Sequence, residues 1–207
     1  MAWRYDLETV SFINLETGDR LTASEAEDLV DEIIESAKDD ADDIINNTLD
    51  VEDPDVEEFE RQLAGLVSDL FIILAILGGG LAIYSLLRRE VERKLERQYV
   101  YLEPFARQVY ADTVSLGSAR NRAHMYANSS RGAYWLTRDE AERQRGSVEE
   151  KWLVIGDEHT CSPCFSAGGM GWQTIGTFGQ PGSGIVTLSP LTVCQGLTSC
   201  RCKKSYR

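Results

Sequence analysis

The chain has 207 residues, a net charge of −13 and five cysteines. That length is enough for one or two domains with their own core, and the acidity argues against a protein that binds nucleic acid through bulk charge. The imbalance is local: residues 1–60 hold 21 Asp/Glu against 3 Lys/Arg, while the remainder holds 13 against 18. The first third is therefore a solvated helix face or a surface for a basic protein partner.

In chain order, Val10-Ser-Phe-Ile-Asn-Leu15 has strand composition and Thr17-Gly18-Asp19 that of a turn. Thr22-Ala-Ser-Glu25 and Ser24-Glu-Ala-Glu27 are overlapping capping boxes, so a helix begins here. Its apolar positions, among them Ala26, Val30, Ile34, Ala37, Ala41 and Ile45, recur every three or four residues and leave the opposite face acidic. Asp50-Val-Glu-Asp-Pro54 ends it. Pro54 then opens a second helix at its first turn, with Asp55, Glu57 and Glu58 well placed against the dipole.

Leu70 to Leu87 is uncharged and is followed by Arg88-Arg89, the length and flank of a membrane-spanning helix. Against that, Gly78-Gly79-Gly80 costs a helix about 3 kcal/mol relative to alanine, and Asp69 stands at the entry. The triplet reads better as a break between two buried helices. Helix resumes at Leu81 and runs through Arg97, supported by opposite charges four apart. Pro104 marks a boundary; Phe105–Tyr110 and Ala119–Trp135 are further helices, and Thr137-Arg-Asp-Glu140 starts one more that ends near Gly146. Arg120 and Arg122 near Tyr126 and Tyr134 suit either nucleic-acid contact or a packed amphipathic helix, the commoner case.

Lys151-Trp-Leu-Val-Ile155 reads as a strand, Gly156-Asp-Glu158 as a turn and Ile185–Leu188 as another strand. All five cysteines, Cys161, Cys164, Cys194, Cys200 and Cys202, lie beyond residue 160. A Cys-x-x-Cys knuckle with a second group of thiols suits tetrahedral Zn²⁺, which can fold a segment with little core of its own. A disulfide framework is the alternative; the odd count and the polar start Met1-Ala-Trp-Arg-Tyr-Asp6 weigh against it. A redox dithiol should begin a helix after a strand, and Phe165-Ser-Ala-Gly-Gly-Met-Gly171 reads as a sequence no helix tolerates.

Trp152, Asp157, Cys161, Cys164 and the closing Cys200-Arg201-Cys202, in this order around a Gly-rich loop, resemble the C-terminal domain of phage Mu protein F-like minor head proteins. That family places a histidine three residues before the Cys-Arg-Cys, where this chain has Leu197. Cys194, the pair Cys200 and Cys202, or His159 then completes the ligand set. The resemblance implies a portal-associated minor capsid protein that assists head assembly or genome delivery. Its partners would be the portal or major capsid protein, with DNA contact secondary. It would be oligomeric within the virion, at the capsid interior or portal vertex, after assembly in the host cytoplasm.

Catalytic constellations are lacking. His124 and His159 are the only histidines, Gly182-Ser-Gly184 is not a nucleophile elbow, and no phosphate-binding loop is present. The expectation is a non-enzymatic α+β protein. Its first two thirds are mainly helical and its C-terminal module is Cys-rich, β-containing and zinc-stabilised, with segments 1–53, 54–146 and 147–207. Two alternatives remain: a membrane-anchored accessory protein spanning Leu70–Leu87 with a metal-binding soluble tail, and a zinc-ribbon nucleic-acid binder.

Overall fold

The computed structural model describes residues 3–6, 11–49, 55–111, 113–156, 160–179, 185–188, 191–193 and 202–207. Strands β1 (Trp3–Asp6), β2 (Ser11–Asn14) and β3 (Arg20–Thr22) form an antiparallel sheet in that order. β2 is the strand expected at Val10–Leu15. Its turn to β3 is closed by Gly18 N–H donating to the Asn14 carbonyl at 2.7 Å, with Gly18 at φ +78°.

Helix α1 (Ala23–Leu49) starts where the first capping box predicts. The Thr22 N–H donates to the Glu25 carboxylate at 2.7 Å, and the Glu25 N–H donates to the Thr22 hydroxyl at 3.3 Å. Its apolar stripe is buried from Ala26 to Ile45. The expected stop at Asp50–Pro54 lies outside the described residues. The next helix does not open on Pro54: α2 (Val56–Tyr110) is capped by Asp55, whose carboxylate accepts the Glu57 and Glu58 N–H groups. An aspartate side chain satisfies two otherwise orphaned donors, which a proline ring cannot do.

α2 is a hairpin. Phe59 and Phe105 lie 46 positions apart, which a straight helix would separate by about 70 Å, yet their ring centroids are 6.2 Å apart. The reversal is at Gly80, the one residue within α2 with non-helical backbone angles (φ 74°, ψ 171°), a region essentially reserved for glycine. Phe59, Leu63, Val67 and Phe71 on the first arm share a core with Val91, Leu95, Leu102 and Phe105 on the second. The uncharged run Leu70–Leu87 passes a length-and-composition test for a membrane span, but half of its most apolar window is buried within the protein. The break expected at the glycine triplet is thus present, and it bends the run back on itself.

The other two glycines of the triplet answer to α4 (Arg131–Arg145). A Cβ on Gly78 would come within 2.9 Å of the Tyr134 carbonyl carbon, and one on Gly79 within 2.8 Å of the Thr137 carbonyl oxygen. The Thr137 hydroxyl donates to the Ala75 carbonyl at 2.7 Å across this contact. Gly78 and Gly79 therefore let two backbones touch, and Gly80 supplies the turn.

Two expected boundaries are displaced. Pro104 lies inside α2, which runs on to Tyr110; its ring lacks the N–H that would otherwise reach back four residues. Ala119–Trp135 is not one helix, and none begins at Thr137. The chain divides at Ser130 into α3 (Leu116–Ser129) and α4, which ends at the left-handed Gly146 as expected. α4 looks polar, yet Arg131, Arg138, Asp139 and Glu142 are buried.

α1 docks through its inner acids. Asp31 pairs with Arg131, Asp42 lies 2.9 Å from the His124 ring, and Arg120 donates to Asn46 at 2.7 Å. Beyond α4, strand β4 (Glu149–Leu153) is the middle of a second antiparallel sheet, with β5 (Trp172–Thr174) on one side and β8 (Lys203–Tyr206) on the other. Helix α5 (Ser162–Gly169) and the hairpin of β6 (Ile185–Leu188) and β7 (Leu191–Val193) complete an α+β chain that is mostly helical.

Candidate functional site

The C-terminal sheet carries two side-chain clusters along one face. Alternation puts Glu150 and Trp152 on the same side of β4, and Lys204 and Tyr206 on the same side of β8, with Trp152 opposite Lys204 and Glu150 opposite Tyr206. Cys202 stands two residues before Lys204 and extends this series.

The first cluster is built of sulfur and aromatic carbon. Cys164 and Cys202 are buried with Trp152, Ala167 and Phe178, and half-buried Cys161 packs against them. The Trp152 and Phe178 rings meet at 5.8 Å. The Cys-x-x-Cys lies where the sequence reading excluded a helix: Cys161 is the N-cap of α5, Pro163 is in its first turn, and Cys164 points into the core. The glycines are tolerated because they fall in the last turn. A Cβ on Gly168 would be 3.0 Å from Val154, so its absence lets α5 sit close on β4. The order strand, Cys-x-x-Cys, helix therefore holds, and the helical argument against a redox dithiol falls away. A helix N-terminus favours thiolate, which serves metal ligation and dithiol chemistry alike.

The donor chemistry fits zinc in one further respect. The Trp152 indole N–H is buried and has no hydrogen-bond partner among the described residues. A donor in a thiol cluster has sulfur as its natural acceptor, and N–H groups commonly support metal-bound thiolates. Among the described residues, however, no group of three His, Cys, Asp or Glu is arranged to hold an ion. A full set would draw on His159, Cys194 or Cys200, all outside the described residues, as are Asp157, Leu197 and Arg201.

The second cluster went unseen in the sequence. The Lys204 ammonium, fully buried, donates to both Asp139 oxygens at 3.0 and 2.9 Å and to Glu150 at 2.8 Å. The Tyr206 hydroxyl donates to Asp139 at 2.6 Å. The other Glu150 oxygen accepts the Gly176 and Phe178 N–H groups at 2.9 and 2.8 Å. Burial, then the Asp139 charge, pushes the Tyr206 phenol well above its ordinary range. Beside it Arg138 pairs with Glu142 at 2.6 Å and lies over the Phe12 and Tyr206 rings. Lys203, on the other face of β8, pairs with Glu27 at 3.2 Å and Asp28 at 3.4 Å. Burial raises the Glu27 carboxyl despite Lys203. The alternation Cys202, Lys204, Tyr206 was the one signal that could have pointed to this lock.

This arrangement binds the chain's last strand to α1, α4 and β4 with charges that are mutually satisfied, and sets the thiols beside that strand. Comparison with protein-family models, with curated proteins and with solved structures returns no match.

Proposed function

We propose that this chain is a structural minor head protein of a tailed phage or prophage, non-enzymatic and portal-associated, whose C-terminal module is clipped by zinc. The observation that carries the reading is the gathering of Cys161, Cys164 and Cys202 around Trp152. A module closed by one ion needs thiols from both of its ends, and these come from the start of α5 and the start of β8. When bound, zinc would supply a fixed tetrahedral cross-link rather than chemistry. The ligands would come from Cys161, Cys164 and Cys202, which pack in one cluster without forming a three-ligand group by themselves. Thiols from the rest of the segment would join them, and the Trp152 N–H would support a thiolate.

The partner-facing surface is the outer stripe of α1. Its inner acids are occupied within the protein, but Glu25, Glu32, Asp39 and Asp43 remain exposed on the opposite side. A row of carboxylates suits a basic surface on a portal or capsid protein and repels packaged DNA. The alternative of an anchor through Leu70–Leu87 has the reversal at Gly80 against it, because neither arm of the uncharged run is long enough to cross alone.

The test is co-sedimentation of the full chain with a tailed-phage portal ring from the same genome, should that genome encode one, at low and high salt. Retention at low salt, lost when Glu32, Asp39 and Asp43 become Gln or Asn, supports the reading. A chain that never co-sediments with portal or capsid protein removes it.

A further inference from the structure

The Cys-x-x-Cys carries an asymmetry that a closed metal site does not need. Cys161 is half-buried at the N-cap of α5, while Cys164, in the same turn, is 1 % exposed. The turn between them is closed, with the Phe165 N–H donating to the Cys161 carbonyl at 3.0 Å. An N-cap side chain lies over the third residue of its helix, and the third residue here is Cys164. One helical turn sets such Cα atoms about 5 Å apart, inside the roughly 4.4–6.8 Å that a disulfide spans. Pro163 fits this turn, because the N–H it lacks would have no partner within the helix, and its ring fixes the backbone between the two sulfurs.

The surroundings favour attack from one side. Cys164 is walled in by Trp152, Ala167, Phe178 and Cys202, so the pair is approached through Cys161. Phe165 lies four residues on from Cys161, on the same face of α5, and is 67 % exposed. An unburied ring beside the more accessible thiol is a surface for the apolar flank of an incoming molecule.

We propose that Cys161 and Cys164 form a thiol–disulfide exchange couple, with Cys161 the attacking thiol, Cys164 the resolving one, and an aromatic or apolar disulfide the substrate. The Cys161 thiolate attacks one sulfur of R–S–S–R; a Cys161–S–S–R bond forms, the substrate's S–S bond breaks and one R–S⁻ leaves. The Cys164 thiolate then attacks the Cys161 sulfur and expels the second R–S⁻. The two thiol protons end on the two leaving groups, so the chain's dithiol is oxidised and the substrate is reduced to two R–SH. The exchange is stoichiometric, as suits a structural chain, and does not rest on the zinc clip.

The test treats the reduced full chain, as purified and again after chelation, with one equivalent of dithiodipyridine, an aromatic disulfide whose released thiopyridone is read by absorbance. Release of about two thiopyridones per chain is expected, with a Cys161–Cys164 bond in the peptide masses. C164S should release one and keep the adduct on Cys161, and C161S should react about tenfold more slowly or less. Because Cys164 is buried and its replacement risks the fold, acid quenching of the parent chain gives a second readout: the Cys161 adduct precedes the intramolecular bond. In guanidinium that preference for Cys161 should vanish. F165A, at an exposed position, should slow dithiodipyridine about threefold or more and leave oxidised glutathione unchanged.

First attack on any other cysteine, a bond pairing Cys161 with any sulfur but Cys164, or the same preference in guanidinium overturns the proposal. An F165A rate unchanged with the aromatic disulfide overturns its substrate. A chain that binds no zinc yet forms the bond removes the clip and supports the couple. A zinc-binding chain that forms no such bond after chelation removes the couple and leaves the clip.

Discussion

Lys204 and Glu150, on neighbouring strands of the C-terminal sheet, are bonded at 2.8 Å with both side chains fully buried. Asp139 from α4 completes the cluster at 2.9 Å. Two carboxylates held out of water by one ammonium make that ammonium indispensable: its removal strands both anions, whereas removal of the whole group does not. K204M should therefore lower unfolding free energy by about 3–5 kcal/mol, and the triple change of Lys204, Glu150 and Asp139 to apolar residues of similar size should recover much of that loss. Urea unfolding followed by circular dichroism measures both. A K204M protein as stable as the parent would contradict the burial of this cluster.

Tyr206 extends the same cluster and gives it a pH signature. Its phenol is held protonated above its ordinary range by burial and by Asp139. A raised folded-state value means stability that is complete below the unfolded phenol's pKa, about 10, and lost as pH rises toward the folded value. Stability should thus fall above about pH 10. In Y206F that alkaline loss should shrink. At neutral pH the same variant should be weaker by about 1.5–3 kcal/mol, the worth of a hydrogen bond to a charged group. Unfolding midpoints taken at neutral and alkaline pH separate the two effects.

Elements defined by neighbours in sequence were legible, and those defined by distant partners were not. The cap formed by Thr22 and Glu25, the stop at Gly146 and the strand beginning near Lys151 depend on residues a few positions apart, so pattern alone located them. The start of α4 was placed at Thr137 rather than Arg131, and the burial of Arg138, Asp139 and Glu142 was not legible because it depends on Lys204 and Tyr206, some sixty positions on, and on the Phe12 ring. α5 was missed for a different reason. Glycine content suggested no helix, but Gly168 serves the close contact with Val154, a cost repaid by packing that composition does not reveal. At the candidate site the thiols were visible in sequence, and their setting around Trp152 was not.

The glycines of α2 separate two roles that one substitution series can distinguish. Gly65 has nothing within 4 Å of an added Cβ and has helical backbone, so G65A should stabilise by about 0.5–1 kcal/mol through helix propensity. Gly78 faces the backbone of Tyr134, which cannot move aside as a side chain can. G78A should therefore cost about 1–3 kcal/mol or more by forcing α4 from the hairpin. G80A carries the strain of a positive φ and should also destabilise. Equal effects at Gly65 and Gly78 would mean that the two helices do not touch there.

The thiol cluster makes the last prediction. Ligation needs thiolates, so a bound ion competes with protons and with chelators. Full-length protein purified under reducing conditions should carry near one zinc per chain by elemental analysis, as a single closed site holds one ion. C164S and C202S, which remove sulfurs from opposite ends of the cluster, should each lose it, and acidification should release it. Because Cys202 adjoins the strand that bears Lys204 and Tyr206, metal loss should also expose that strand. Trypsin should then cut at Lys203 or Arg201 faster in the chelated protein than in the metal-bound one. A metal-free protein with the parent's resistance to cleavage would leave the Cys-x-x-Cys at the head of α5 to dithiol chemistry. The oxidised form of Cys161 and Cys164, sought by mass after mild treatment with a small disulfide, would then be the species to find.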